Sequence, residues 1–195
     1  MGSILLALHD SGRADNTLIV FMGDNGFYLG EHGLAGKWFG HRESIRVPLL
    51  IYLPGGEGRR VEEMALNIDI GPTLLSAAGL ERPPAMQGDD LLSFARGTVP
   101  RAWREDFFYE HLFDVQTLYD LGVSRDDLWP IPQTEGVVSR RWKYLYYPNQ
   151  KEDREALYDL AADPHETVNL VHQPRSREDL DRLRARLQRL RKVVE

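Results

Sequence analysis

The stretch NTLIVFMGDNGFYLGEHGLAGKWFGHRESIRVPLLIYLP, residues 16–54, decides how the rest of the chain is read. It opens on the unbroken apolar run Leu18 to Met22, which is short and partly β-branched and predicts a strand buried on both faces. Gly23-Asp24-Asn25-Gly26 then sets a carboxylate beside a carboxamide at the strand's carboxyl end. In an open parallel sheet, ligands gather beyond the carboxyl ends of the strands. Neighbouring carboxylate and amide oxygens are hard donors of the kind Ca²⁺ and Mg²⁺ prefer. Asn-Gly is also a strong hairpin signal, so a plain turn competes with that reading. Gly26, Gly30, Gly33 and Gly36 punctuate the loop that follows, which carries Glu31, His32 and Lys37, and a second apolar strand runs from Val47 to Leu53. Glycines at this density let a backbone close around a small group. A phosphate-binding P-loop is excluded, because Gly36-Lys37 is followed by Trp38 rather than Ser or Thr.

The ordered series Asp24-Asn25-Gly26, Gly30-Glu31-His32-Gly33, Lys37 and Glu43-Ser44-Ile45-Arg46-Val47-Pro48, set between two strands, resembles the type I sulfatases of the alkaline-phosphatase superfamily. The resemblance implies that Asp24 and Asn25 are two of four protein ligands to a divalent cation, most often calcium. It also implies that Lys37 binds the sulfate of the substrate, on a sulfate oxygen or on the bridging oxygen. His32 would stand close by, orienting the site or donating a proton to the leaving alcohol. Arg46 is expected to pair with Glu43 or a neighbouring carboxylate. The family's nucleophile, a formylglycine made from Cys or Ser in Cys/Ser-x-Pro-x-Arg, has no counterpart in this sequence. Thr98-Val99-Pro100-Arg101-Ala102 comes nearest and fails at both ends. The acidic pair that completes the family's metal site is not matched either, since Asp89-Asp90 and Asp126-Asp127 follow no strand-like run and read as loop carboxylates. The nucleophile is therefore expected upstream, and the resemblance takes in nearly all of this chain but only the latter part of the family.

Length and composition agree with a globular piece of that kind. A chain of 195 residues suffices for one domain, or one with a subdomain. A formal charge of -6 argues against a nucleic-acid partner. There is no cysteine, which excludes a disulfide framework and leaves the compartment open. No apolar run reaches the roughly 20 residues that span a bilayer. Ile4, Leu5, Leu6 and Leu8 form a short helical segment ending near Gly12, which looks like the tail of a longer crossover helix.

Further along, Asp69 and Pro72 suit a helix start and Gly79 its stop, with Leu74, Leu75 and Ala78 expected on the buried face and Asp69 as cap. This helix resembles the family's Asp-x-x-Pro-Thr-Leu-Leu segment, and Met86 to Leu91 the Met-Gln-Gly segment that follows it. The domain division is expected at 1–99, the end of the catalytic α/β core, and 100–195, a smaller subdomain. Runs at Phe107–Glu110, Glu135–Ser139, Trp142–Tyr147 and Ala156–Leu160 alternate and are rich in aromatics, which predicts antiparallel strands. Three of them match family segments, including the Leu157–Leu170 turn. Phe113 to Gln133, with Trp129-Pro130-Ile131-Pro132, reads as an irregular insertion. His111 and Glu135 stand at strand edges and are candidates for substrate contacts. The chain ends in a helix with Ser176 and Asp179 at its start and Leu180, Leu183, Leu187, Leu190 and Val194 on one stripe. Two heptads are too few for a coiled coil, so this stripe should pack on the subdomain sheet.

The fold class expected is thus α/β: the C-terminal part of an alkaline-phosphatase-like sheet with flanking helices, plus a small antiparallel β subdomain packed against a terminal helix. The function expected is that of the C-terminal part of a metal-dependent sulfatase, acting on a sulfated small molecule or glycan and inactive without its missing N-terminal part. A phosphodiester or phosphonate hydrolase of the same superfamily, or a non-catalytic stand-alone domain, are the alternatives.

Overall fold

The computed structural model describes residues 2–114, 116–120, 122 and 131–194. The expectations for Asp126, Asp127, Trp129 and Pro130, and for the Val194 side chain, lie outside the described residues. The chain divides into two compact units. One runs to Asp24 and resumes at Val47–Trp103, and the other comprises Asn25–Arg46 and the chain from Arg104 onward.

In the first unit, helix α1 (Gly2–Asp10) covers the predicted segment and buries none of its residues, with Ile4 and Leu6 standing 72% and 62% exposed. Strand β1 (Ile19–Met22) pairs antiparallel with β4 (Leu49–Tyr52), in the register Phe21 opposite Leu50 and Met22 opposite Leu49. This corrects the expectation of a strand covered on both faces. Phe21, Leu50 and Tyr52 are all exposed, because among the described residues the pair has no third strand or covering layer on that side.

A 3₁₀ turn, Asn67–Asp69, leads into α3 (Ile70–Ala77), which ends where Gly79 adopts φ +70° and the Gly79 and Leu80 N–H groups close back on Ser76 and Leu75. That pairing is a Schellman ending, for which glycine is the residue of choice. The buried positions of α3 are Pro72 and Thr73, whereas Leu74 and Ala78 are exposed. Asp69 caps the 3₁₀ turn that opens this segment, not α3 itself, and reaches further than a cap. Its fully buried carboxylate accepts the backbone N–H of Leu66 at 2.7 Å and of Asp89 at 2.8 Å, and the Thr73 hydroxyl in turn accepts the Leu91 N–H at 3.0 Å. Asp69 and Thr73 thereby tie the segment around Met86–Leu91 onto the helix, beside α4 (Leu92–Ala95), whose Leu92 and Phe94 are buried.

The second unit holds a four-stranded antiparallel sheet in the order β5 (Asp106–His111), β6 (Thr134–Ser139), β7 (Trp142–Tyr146), β8 (Glu155–Asp159). Each strand falls where alternation placed it. A short helix, α5 (Gln116–Asp120), follows β5, and the terminal helix α6 (Arg177–Val194) lays Leu180, Leu183 and Leu187, each 2% exposed, against Val137, Trp142, Tyr144 and Leu157. Burying three leucines and their partners is worth roughly 1.5–3 kcal/mol per side chain before chain entropy is counted. Beside that stripe, Arg184, Arg186 and Arg191 reach Glu155, Asp106 and Glu135 on three different strands. The same unit contains the Asn25–Arg46 loop, with a two-residue ladder between β2 (Tyr28–Leu29) and β3 (Ala35–Gly36) and one turn of helix, α2 (Arg42–Ile45).

Replacing Asp69 by Ala leaves two buried N–H groups without their acceptor, a loss of about 3 kcal/mol for hydrogen bonds to a charged group. Urea unfolding of Asp69→Ala against the parent should show that loss, with Asp69→Asn intermediate, and equal midpoints would rule the tie out.

Candidate functional site

The Asn25–Arg46 loop folds back on itself through α2. Gly26 donates its N–H to the Ser44 carbonyl at 2.7 Å, and a Cβ at Gly26 would stand 2.0 Å from the Glu43 carbonyl oxygen. No other residue fits there, so glycine at this position is dictated by close backbone approach. The Ser44 hydroxyl donates to the Lys37 carbonyl at 2.7 Å, and the Lys37 ammonium donates to Asn25 Oδ1 at 2.8 Å. Asn25 Nδ2 donates to the Gly26 carbonyl, which turns the amide so that its oxygen faces Lys37. The competing hairpin reading of Asn25-Gly26 is overturned, because β1 pairs with β4 and the tight ladder of this loop lies between β2 and β3 instead.

His32 sits in the left-handed region at φ 57°, within a short 3₁₀ turn, Glu31–Gly33. Its ring stacks on His41 with centroids 4.1 Å apart and planes 12° from parallel, and its Nε2 lies 3.4 Å from Glu43 Oε2. That carboxylate oxygen is shielded from solvent and accepts no hydrogen bond among the described residues. Glu43 therefore faces His32 rather than the expected Arg46, whose own residue is exposed.

Beneath this loop lies a buried polar network that the sequence reading assigned no role. His41 Nδ1 meets the Tyr28 hydroxyl at 2.9 Å and His41 Nε2 meets the Tyr158 hydroxyl at 3.3 Å. Burial, then the positive charges of His32 and Lys143, holds His41 down to about 3, so the ring is neutral near pH 7. Burial raises the Tyr28 phenol well above its ordinary value and pushes Tyr158 up to about 12. Next to His41, the Lys143 ammonium donates to both carboxylate oxygens of Glu166, at 2.7 and 2.8 Å, and to the Gly40 carbonyl at 3.0 Å. Three acceptors match the three donors of an ammonium. Burial lowers the Lys143 pKa while Glu166 opposes it, and the geometry is that of the charged pair. One signal pointed here: Lys143 is a lone charge inside the apolar run Trp142–Tyr147, which demands a buried partner.

The remaining candidates are placed as follows. Asp24 is exposed and closes the segment after β1, in the unit other than that of Lys37. Asn25, His32 and Lys37 belong to one loop. His111 lies at the end of β5 among Trp38 and Phe113, with ring centroids 6.1 Å from each, and its Nδ1 is shielded and has no hydrogen-bond partner among the described residues. Glu135 is bound to Arg191 of α6, an ion pair that spans sheet and helix. A hard divalent cation fits the donor chemistry of Asp24 and Asn25, a carboxylate followed by an amide oxygen, as two ligands rather than a full cage. Among the described residues no cluster of three or more acidic, His or Cys side chains is gathered for a metal.

The depressed His41 makes stability depend on pH. An unfolded histidine titrates near 6.5, so between about 6.5 and 3 the unfolded chain binds the extra proton. The contribution of His41 is complete above about 6.5 and is lost as pH falls toward 3. Urea unfolding from pH 4 to 7 should show a smaller loss of stability on acidification in His41→Gln than in the parent, and parallel curves would refute it.

Residues 30–193 match the family model described as N-sulphoglucosamine sulphohydrolase, C-terminal. An N-acetylglucosamine-6-O-sulfatase of Bacteroides thetaiotaomicron is 32% identical over 174 residues, 87% of this chain and 29% of the relative. A solved structure in complex with its substrate D-glucosamine-2-N,6-O-disulfate superposes with TM-score 0.80 at 28% identity, covering 98% of this chain and 37% of the other. The crystal structure of the phosphonate monoester hydrolase of Agrobacterium radiobacter gives TM-score 0.82 at 31% identity, over 98% of this chain and 38% of the other. The chain thus spans about a third of the length of these relatives. It belongs to the N-sulphoglucosamine sulphohydrolase C-terminal family, as a C-terminal sulfatase domain of the alkaline-phosphatase superfamily.

Proposed function

We propose that this chain is the carboxy-terminal part of a metal-dependent sulfatase, in which Lys37 binds the sulfate of a sulfated small molecule or glycan and Asp24 and Asn25 supply two ligands to a divalent cation, calcium by the resemblance. The observation that carries this reading is the Lys37 ammonium held 2.8 Å from Asn25 Oδ1, which joins a fixed positive charge to an oxygen donor beside a carboxylate. A sulfate ester resists attack because its anionic oxygens repel a nucleophile, so fixed positive charge around them lowers the barrier. A bound divalent cation would polarise a sulfate oxygen and favour the ionised nucleophile. Lys37 supplies a fixed charge of its own, and the amide acceptor of Asn25 leaves that charge uncancelled. His32, packed between Glu43 and His41, orients the loop beside the leaving group or passes it a proton. His111, with Trp38 and Phe113, is the candidate for contact with the substrate's body, and the sulfated glucosamine bound by one structural neighbour supports a sulfated amino sugar as substrate. Glu135 is the other candidate for substrate contact, and its pairing with Arg191 would hold its carboxylate in place near the start of β6.

The open apolar side chains of α1, β1 and β4 fit a piece whose remaining sheet lies in the preceding part of a longer protein, which would also carry the formylglycine. Likeness to a phosphonate monoester hydrolase favours a second reading, hydrolysis of a phosphonate or phosphate ester on the same half-site.

This chain alone should leave a chromogenic aryl sulfate untouched even with calcium. Joined to a segment bearing Cys/Ser-x-Pro-x-Arg, it should turn the ester over, with Lys37→Ala lowering kcat/KM roughly 10²–10³-fold. Asp24→Ala in that longer protein should weaken calcium binding measured by titration calorimetry. Full turnover by the isolated chain would defeat the proposal, and a preference for phenylphosphonate esters over sulfates would establish the second reading.

A further inference from the structure

We infer that Ser44 is a positioning residue that sets the reach of the Lys37 ammonium, an inference that rests on the sulfate-binding reading of Lys37. Ser44 is 4% exposed and makes two contacts with different parts of the loop. Its backbone carbonyl accepts the Gly26 N–H at 2.7 Å, which holds the residue following Asn25. Its hydroxyl donates to the Lys37 carbonyl at 2.7 Å, which holds the backbone from which the ammonium extends. The ammonium then closes a ring of contacts by returning to Asn25 Oδ1. One residue of α2 thus fixes both ends of the Lys37–Asn25 hydrogen bond. A flexible lysine stem has four rotatable carbons, so without a fixed backbone its charge would sample many positions. Displacing a charge by about 1 Å from a reacting group costs on the order of 10²-fold in rate at the upper end.

The two contacts are separable by mutation. Ser44→Ala removes the hydroxyl and keeps the carbonyl, so it should free Lys37 while Gly26 and Asn25 stay held. Ser44→Thr retains a hydroxyl and should restore the contact.

The first test uses this chain and needs no catalysis. The ¹⁵Nζ ammonium resonance of Lys37, assigned by its loss in Lys37→Arg, should move toward the value of a free lysine in Ser44→Ala and return in Ser44→Thr, with the far-ultraviolet circular dichroism unchanged. An unmoved Lys37 resonance in Ser44→Ala overturns the inference. The second test uses the longer protein that joins this chain to its nucleophile segment. There Ser44→Ala should lower kcat/KM for an aryl sulfate about tenfold, with calcium affinity changed less than about twofold. In a Lys37→Ala background the same substitution should cost nothing further, because Ser44 acts through Lys37. An equal loss in both backgrounds would mark Ser44 as merely structural and overturn the inference. If Lys37→Ala itself leaves turnover unchanged, the sulfate-binding reading fails while the resonance shift still reports whether Ser44 holds Lys37.

Discussion

The buried pair between Lys143 and Glu166 is the contact from which the arrangement of the loop follows. Its two side chains are 2% and 1% exposed, so neither charge has water to fall back on. A buried charge survives only if every donor and acceptor is met. Glu166 meets this by taking the Lys143 ammonium on both oxygens and the Arg42 N–H at 3.0 Å, while Lys143 takes the Gly40 carbonyl as its third acceptor. Those last two partners are the residues on either side of His41. The pair therefore anchors the start of α2 from both directions, and everything that α2 then holds inherits that anchor. Removing one partner would leave the other charged and unpaired, which costs about 3–5 kcal/mol, so the pair is hard to lose piecemeal.

The sheet of the second unit explains how such a pair can be kept dry. One face of β6–β8 is sealed by the leucine stripe of α6, with Val137, Tyr144 and Leu157 beneath it. Strand alternation sends Lys143 and Leu145 to the opposite face from Tyr144. There Leu145, Tyr147, Ala156 and Tyr158 form a second buried cluster, and a Cβ at Gly40 would touch Leu145 and Tyr109 at about 3.0 Å. The loop thus lies directly on this second apolar face. Its polar backbone is accepted there because Lys143, Glu166, Tyr28 and Tyr158 answer its hydrogen-bonding groups, which leaves few unpaired polar atoms to penalise the contact.

Periodicity carried most of the secondary structure, since the β5–β8 strands and α6 each present one apolar face and local pattern reports that directly. It failed at β1, where an unbroken apolar run reads as a doubly covered strand, yet Phe21 is exposed in a two-stranded pair. A run of apolar residues records the surroundings a strand is suited to, and the described residues supply only part of them. The glycine-rich loop was legible as a place of close approach, and Gly26 bears that out, but the partner, the α2 backbone, was not. Asp69 shows the same limit: its position before a helix suggests a cap, and one oxygen does answer the Leu66 N–H there, but the other is used by Asp89, twenty residues on. Contacts at that separation leave no periodic trace. His41 and Glu166 escaped for this reason, being single polar residues whose meaning depends on strands more than a hundred positions away or on a turn in the left-handed region.

Two lysines in one unit make the functional argument sharper. Lys143 gives its three donors to a carboxylate and a carbonyl, and its charge is cancelled within 3 Å. Lys37 donates to the neutral amide oxygen of Asn25, on the exposed side of the loop, and that contact orients the ammonium without neutralising it. Had the acceptor been a carboxylate, an incoming oxyanion would have to compete with a bound negative charge at hydrogen-bond distance. An amide in its place sets no negative charge against the ammonium at that contact, and the attraction of the ammonium to a sulfate grows as water is excluded. The same amide can also give its second oxygen lone pair to a hard cation, so a residue that holds the ammonium in place is chemically able to serve the metal as well. On the proposed reading this accounts for Asn25 beside Asp24: the carboxylate adds charge for the cation, and the amide adds an oxygen without setting a second negative charge against Lys37.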